Sequence, residues 1–459
     1  MSNSPYFDSF DTSEFSKSFP SGRDFINQYE GMSRDELRSI QESEFQKVLA
    51  LAWATPFYQS TWKAAGVGVG DIKSLEDLHL LPLVDKTAIL NDVEAFPPFG
   101  SLALPATGKS GPRVVQTTSG TTGAPQPVVW GPWGREVQNL LLGRTYRWLG
   151  VNADDVVHGV YGHGLINGGH YIRESIIRYT EATYISAGTG AETRSERQVE
   201  LIKRFGATVL VGFSDYLLRL AEVVREQGLD PVKDLNVRMI IGHLPEGGRK
   251  KLEDAWGGVP AFNWYGVADT GILSTEGPER DGLYIWEDAN FVEVLDSETH
   301  APTPRGETGE LVVTSLAKSD LAPLIRFNTH DLTALLPGHG SANMPFDRMA
   351  GLLGRSDNMV KLRGINVYPT ALSAILVNIP GFSGEYFARL EKAPSGSDHL
   401  VVVVEVREQS ESIRLQIEDH LSATLGLKIG AEIVGVGETA EITQLTTRQK
   451  PIRLVDARA

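Results

Sequence analysis

No cysteine occurs anywhere in the 459 residues, which excludes a disulfide framework, a thiolate nucleophile and any cysteine-based metal site. Positive charge is in short supply as well: 43 Lys and Arg face 58 Asp and Glu, a formal net charge of −15. A general grip on nucleic acid or on an anionic membrane needs the opposite sign, so neither is expected as a partner, and any phosphate must be held by local donors. The sequence also lacks an apolar run long enough to span a bilayer, and Met1 to Ser33 has neither the basic start nor the apolar stretch of a leader peptide. The expectation is a soluble, cytoplasmic protein. No internal repeat or low-complexity tract is found. What remains is an ordinary globular balance, 41% hydrophobic and 22% charged, in a chain long enough for two or three domains.

The most informative stretch is Thr117-Thr118-Ser119-Gly120-Thr121-Thr122-Gly123-Ala124-Pro125. It lies between two β-type runs, Arg113 to Gln116 and Gln126 to Trp130, and so reads as a strand-loop-strand turn. Glycine permits close approach, while successive backbone N–H groups and hydroxyls form a concave donor surface suited to a polyphosphate. It is not a P-loop of the Walker type, because no lysine follows. Gly108-Lys109-Ser110 has the ending of such a loop, but Ala103 stands where its first glycine belongs.

Along the chain, Phe7, Phe10, Phe15, Phe19 and Phe25 mark an N-terminal arm that packs on the body. Ser33 with Glu36 signals a capped helix carrying Leu37, Ile40, Phe45, Val48, Leu49 and Ala52 on one stripe. Thr55 to Leu90 reads as short helices and turns, and Glu136 to Trp148 as a helix. The apolar run Asp155 to Tyr161 then enters the glycine-rich stretch Gly162 to Gly169. Strands at Thr183 to Ser186, Thr208 to Gly212 and Val237 to Gly242 alternate with helices at Arg194 to Phe205, Tyr216 to Gln227 and Glu246 to Trp256. That rhythm implies an α/β fold of parallel strands covered by helices. Ligands gather beyond the carboxyl ends of such strands, which makes the loops His243 to Pro245 and Asn263 to Thr270 site candidates.

From Gly282 onward, short alternating runs at Phe291 to Leu295, Gly309 to Thr314 and Leu324 to Phe327 predict a small β-barrel or meander, with Asp296 to Gly309 as a hairpin connection. A boundary at Gly351 to Arg355 precedes a compact α+β unit, with strands at Val360 to Arg363, Leu400 to Val406 and Glu432 to Val436. Its helices are expected at Pro369 to Asn378 and Glu411 to Leu425. The expected division is therefore a core of residues 1–353 and a small C-terminal domain of residues 354–459.

Five stretches in order resemble the adenylate-forming superfamily, and specifically its phenylacetate–CoA ligase branch: TTSGTTGAP, NWYGVADTG, LIRFNTHDLTAL, GRSDNMVKLRGINVYP and RQKPIRLVDAR. The resemblance extends from about residue 45 to the end. It implies an acid that attacks the α-phosphate of ATP to give an acyl-adenylate and pyrophosphate, after which a thiol, usually CoA, displaces AMP. It also implies a C-terminal domain that reorients between the two steps.

By the same resemblance, Thr117, Thr118, Ser119, Gly120, Thr121, Thr122 and Gly123 hold the β- and γ-phosphates. Gly242, His243, Asn263, Trp264 and Tyr265 surround adenosine, with Tyr265 stacked on adenine and Asn263 at its amino edge. Asp331 takes the ribose hydroxyls with help from Arg355. Asp357 is the hinge, Gly364 lines the CoA channel, and Lys450 stabilises charge at the α-phosphate. Two positions depart from the family pattern. The Mg2+-binding Glu, preceded there by Thr or Ser, is here Asp269 after Ala268, and the family's Gly-Glu pair is Gly242-His243. The acyl pocket is expected at Tyr161, His163, Gly164, Phe213 and Ala268, where glycines and aromatics suit a flat aromatic acid.

The implied co-substrates are ATP and CoA with Mg2+, and a homodimer is left open. A structural zinc is not expected, because His158, His163 and His170 lack partners at ligand spacing. Two rival readings share these motifs: an adenylating enzyme whose acceptor is an amine or a carrier-protein thiol, and an idle homologue that only binds ligand.

Overall fold

The computed structural model describes residues 4–103, 112–118, 126–245, 247–356, 360–362, 365–393, 398–445 and 451–458. The chain divides into two units. The first comprises Met1–Leu244, Leu252–Thr329 and Ala334–Gly351, and the second Pro245–Lys251, His330–Thr333 and Leu352–Ala459.

Helices α1 (Thr12–Ser18), α2 (Gly22–Tyr29), α3 (Arg34–Trp53), α4 (Pro56–Ala64) and α5 (Lys86–Ala95) open the first unit. The Ser33–Glu36 capping box forms at the start of α3, with both of its hydrogen bonds made. Of the N-terminal phenylalanines, Phe15, Phe19 and Phe25 are buried in the core, while Phe7 is exposed. The arm is held by a fully buried ion pair, Arg144 to Asp288 at 2.7 Å, to which the Tyr29 hydroxyl adds a hydrogen bond of 3.0 Å. Removing one partner of such a pair strands the other charge and costs about 3–5 kcal/mol.

A hairpin of β1 (Val114–Thr117) and β2 (Pro127–Trp130) leads into α6 (Pro132–Trp148). Next come β3 (Val156–Gly159), α7 (Gly168–Tyr179), β4 (Thr183–Ser186), α8 (Ser195–Phe205), β5 (Val209–Phe213), α9 (Ser214–Glu226), β6 (Met239–His243), α10 (Gly248–Ala255) and β7 (Ala261–Val267). Further strands are β8 (Gly271–Glu276), β9 (Leu283–Ile285), β10 (Asn290–Leu295), β11 (Gly309–Ser315), β12 (Leu324–Thr333) and β13 (Arg348–Met349).

The large sheet runs β13-β9-β8-β7-β6-β5-β3-β4; β4, β3, β5, β6 and β7 are parallel, and β8, β9 and β13 antiparallel. Strand alternation explains its two covered faces. Val209, Val211 and Ile241 join Val137, Leu141 and Ile172 of α6 and α7 in one core, whereas Leu210 and Ile240 join Val199, Leu217 and Leu252 in another. The region expected as a barrel or meander is a short sheet in which β10 pairs antiparallel with β11 and β12 follows.

In the second unit, the last residues of β12 pair with β14 (Gly354–Arg355). There follow β15 (Val360–Leu362), β16 (Ile365–Val367), α11 (Leu372–Leu376), β17 (Phe382–Lys392), β18 (Asp398–Val406), α12 (Glu411–Leu425), β19 (Gly430–Val434), α13 (Ala440–Thr443) and β20 (Leu454–Asp456). Its sheet has the order β19-β18-β17-β20, with a core that includes Val402, Val404, Tyr386 and Leu421. No helix among the described residues is long and apolar enough to cross a membrane.

Three local expectations need correction. Asn263 to Val267 is strand β7 rather than loop, so only Ala268 to Thr270 forms the turn. Asn and Gly are poor strand formers, but pairing to β6 and β8 outweighs that propensity. The glycine-rich Gly168-Gly169 begins a helix instead of extending the loop. The long strand β17 was not expected at all.

Candidate active site

Four aromatic side chains converge where the parallel strands end. Tyr161 follows β3, Phe213 and His243 are the last residues of β5 and β6 and pair in register, and Trp264 lies on β7. The Tyr161 hydroxyl and His243 Nδ1 are hydrogen-bonded at 2.7 Å. The His243 ring lies 4.1 Å from that of Trp264 and stacks on Phe213 at 5.0 Å, while Tyr161 lies 4.6 Å from Phe213. Burial pushes the Tyr161 phenol far above its ordinary range, so it stays protonated at every working pH. The backbone beneath is drawn tight: a Cβ at Gly242 would lie 1.8 Å from the carbonyl oxygen of Gly212.

Strand alternation sends Tyr265 to the opposite face from Trp264. There it is 7% exposed and packs with Leu273, Leu283, Leu311 and Met349. Asn263 accepts a hydrogen bond from the Leu244 backbone N–H at 3.0 Å and donates to its carbonyl at 3.3 Å, bracing the end of β6. Of the expected adenosine group, Gly242, His243 and Trp264 therefore share the aromatic cluster, while Tyr265 faces a core and the Asn263 amide is engaged with backbone.

The glycine-rich stretch closes on itself. A Cβ at Gly169 would lie 2.2 Å from the carbonyl oxygen of Gly162, so only glycine allows this approach. His163 sits on that loop, its Nε2 2.7 Å from Ser186 Oγ and its backbone N–H donating to Glu192, and burial holds its pKa below the ordinary histidine value. Gly164 accepts at its carbonyl from His170 Nε2 at 2.8 Å. The loop is tied to the hairpin, because Thr117 N–H donates to the Leu165 carbonyl at 2.9 Å. Thr118 N–H donates to the Gln126 carbonyl, extending the hairpin by one rung. Ser119, Gly120, Thr121, Thr122 and Gly123 lie outside the described residues, as do Asp357, Gly364 and Lys450.

Asp269, in the turn after Ala268, is 7% exposed, and burial raises its pKa above the usual carboxylate range. Its Oδ1 accepts from the Gln126 side chain. Lys318 donates to the Asp269 carbonyl at 3.3 Å, and burial pushes its ammonium pKa down to about 8 against the pull of Asp269 and Asp320. Asp320 in turn caps α6, accepting from the Trp133 and Gly134 N–H groups. Lys318 and Gln126 were missed by sequence reasoning; a lone lysine and a lone glutamine beside strands carry no signal without the fold. Among the described residues no three His, Asp or Glu side chains cluster as a metal site. One buried carboxylate still suits Mg2+, which keeps most of its shell as water and substrate phosphate oxygens.

In the second unit, the guanidinium of Arg355 on β14 donates to Asp331 Oδ1 on β12 at 2.6 Å. Asp331 is buried, at 4% exposure.

Two family models match the chain: that of the AMP-binding enzymes over residues 57–317, and that of the AMP-binding enzyme C-terminal domain over residues 364–458. The chain is 31% identical over 447 residues to the phenylacetate-coenzyme A ligase of Aromatoleum evansii, covering 94% of this chain and 96% of that protein. Among solved structures, a 2-hydroxyisobutyryl-CoA ligase in the postadenylation state in complex with R3-HIB-AMP superposes with a TM-score of 0.80 at 25% identity, covering 94% of this chain and 91% of that one. The same ligase in complex with 2-HIB-AMP and CoA, in the thioesterification state, gives a TM-score of 0.66 at 26% identity, covering 94% and 91%.

Proposed function

The chain belongs to the AMP-binding enzyme family, and from that premise we propose that it is an ATP-dependent aryl-acid–CoA ligase, forming an acyl-adenylate and then an acyl-CoA thioester with release of AMP and pyrophosphate. The observation that carries the aromatic part is the packing of Tyr161 on Phe213 at the carboxyl ends of β3 and β5, with the rings of His243 and Trp264 closing in beside them. Rigid rings on a close-packed glycine floor favour a flat acid, which matches the substrate named for the Aromatoleum evansii relative. Tyr161, with His163, Gly164, Phe213 and Ala268, is assigned to the acid.

Thr117 to Gly123 is assigned to the β- and γ-phosphates. Gly242, His243, Asn263, Trp264 and Tyr265 are assigned to adenosine, and Asp331 with Arg355 to the ribose. A carboxylate held rigid by a guanidinium is organised to accept from two vicinal hydroxyls. Asp269 is the assigned ligand for Mg2+, whose chemistry when bound is to neutralise charge on the phosphates. Lys450 supplies a second positive charge at the α-phosphate during adenylation, Asp357 serves as the hinge and Gly364 as the lining of the CoA channel. A carboxylate is a poor acylating agent, and charge neutralisation in a water-poor site is what makes its attack on phosphorus feasible.

AMP release from ATP, measured against a panel of aromatic acids, with aliphatic acids for comparison, each with and without CoA, tests the reading. Release that needs both an acid and CoA is the expected result. Release that needs an amine or a carrier protein in place of CoA moves the acyl group to another acceptor. Absence of release across aromatic and aliphatic acids alike overturns the enzyme assignment.

A further inference from the structure

Lys318 stands in the turn that follows β11 and is 2% exposed. Withdrawing an ammonium from water is costly unless the interior compensates it, so a lysine at this depth calls for a reason. Its Nζ donates to the main-chain carbonyl of Asp269 at 3.3 Å and rests 4.0 Å from the ring centre of Trp130, on β2. From the start of the same arm, Gln126 donates its side-chain N–H to the carboxylate of Asp269. Two independent ties thus run from one short turn, Ala268 to Thr270, to one strand, and that strand is the return arm β2 of the hairpin whose first arm, β1, ends at Thr117. Asp320, two residues beyond Lys318, is fixed by the first N–H groups of α6, which anchors the lysine's own turn from behind.

We propose that Lys318 is a positioning residue for adenylation. It fastens the peptide bearing Asp269 against β2, and so sets where that carboxylate stands relative to the phosphate-binding loop. The inference rests on the functional reading above. It also supplies a reason for a charged side chain at this depth. A neutral residue of equal volume would fill the space, but it would neither hold the Asp269 carbonyl nor offset the charge beside it. Aspartate has a shorter arm than glutamate, so Asp269 needs its backbone placed more tightly for a shared cation to reach both carboxylate and phosphate.

The test uses the full-length protein and a non-hydrolysable ATP analogue, with binding measured calorimetrically in the presence and absence of Mg2+. In a Lys318→Met variant, shown by circular dichroism to melt cooperatively, the affinity gained on adding Mg2+ should shrink by about 10- to 100-fold. Thioester formation from a supplied acyl-adenylate should stay at the wild-type rate, a split that a merely structural lysine would not produce. An undiminished Mg2+-dependent gain overturns the proposal. Should Lys318→Met fail to fold, Lys318→Leu removes the same hydrogen bond to the Asp269 carbonyl and the same charge, and an undiminished gain there overturns it equally. A wild-type protein that binds no ATP analogue at all overturns the functional reading, whereas a wild type that binds with Mg2+ as strongly as Lys318→Met does overturns the positioning role alone.

Discussion

An Asp331→Asn substitution removes a charge while keeping size, and it weakens the contact that the Arg355 guanidinium makes to Asp331 Oδ1 at 2.6 Å. If the pair serves the ribose, the Michaelis constant for ATP rises by about tenfold or more, because a charge-assisted contact gives way to a neutral one. An unchanged constant would return the pair to a purely structural role. His243 poses a different question, since the resemblance assigns it to adenosine while its ring sits among Phe213, Trp264 and Tyr161. His243→Ala removes the partner of the Tyr161 hydroxyl and opens space under the acid. Relative kcat/KM should then shift toward bulkier acids by roughly tenfold, about what one pocket contact contributes to discrimination. A raised Michaelis constant for ATP with no change in acid preference would place the ring under adenine instead.

The proposed site gathers at strand ends and the turns after them, and the legibility of each element depended on how local its signal was. The helix opened by Ser33 was readable because its cap is made within four residues of sequence, and the helix Glu411–Leu425 because Ser410 caps it and Gly426 ends it in the left-handed region. Asn263 to Val267 was not, since Asn263 and Gly266 interrupt the β-formers Trp264, Tyr265 and Val267, and pairing with β6 and β8 overrides them. The positions of Lys318 and Gln126 are set by contacts across long stretches of chain, beyond the reach of any sequence window. The glycine at position 242 was legible as a motif, and its physical reason emerges only in the sheet, where the neighbouring strand's Gly212 carbonyl occupies the Cβ position. Gly242→Ala should therefore cost about 1–3 kcal/mol of stability, read as a lower urea midpoint, together with a loss of adenylation as His243 shifts. An alanine variant of wild-type stability would contradict the close packing of β5 on β6.

The same sheet holds a histidine whose neutral form burial favours. His158 on β3 is fully buried, with Nε2 3.0 Å from Gln198 Oε1, and burial lowers its pKa below the ordinary 6.5. The native state thus refuses a proton that the unfolded chain accepts. Stability is at its full value above pH 6.5 and falls as the pH drops through it, until the native pKa is reached. His163 is depressed in the same direction, so the two slopes add. In urea titrations between about pH 7.5 and 5.5, His158→Gln should flatten part of this loss while keeping a partner for Gln198. Parallel profiles for variant and wild type would show that His158 does not contribute.

At the scale of the whole molecule, a chain of net charge −15 must bind a polyanion, and the field of the protein at large works against it. The consequence is that positive charge has to be supplied locally and, if the two half-reactions are served by different groups, selectively. Lys450 is the residue on which this turns. It is assigned by motif to the second unit and to the α-phosphate, and it belongs to the basic run Arg448 to Arg453 at the end of an acidic chain. Adenylation develops charge at phosphorus, where the proposed role puts that ammonium, whereas thiolysis of a finished acyl-adenylate expels AMP, whose phosphate leaves with no new charge on a pentavalent centre. Lys450→Ala should therefore lower the rate of adenylate formation by roughly 10²- to 10³-fold, the scale of losing one electrostatic donor, and leave thioester formation from supplied acyl-adenylate and CoA nearly unchanged. Single-turnover measurements of each half-reaction check it. Equal losses in both would mean that the lysine acts on a feature the two steps share, such as binding of the AMP moiety, and the assignment of different charged groups to different steps would have to be given up.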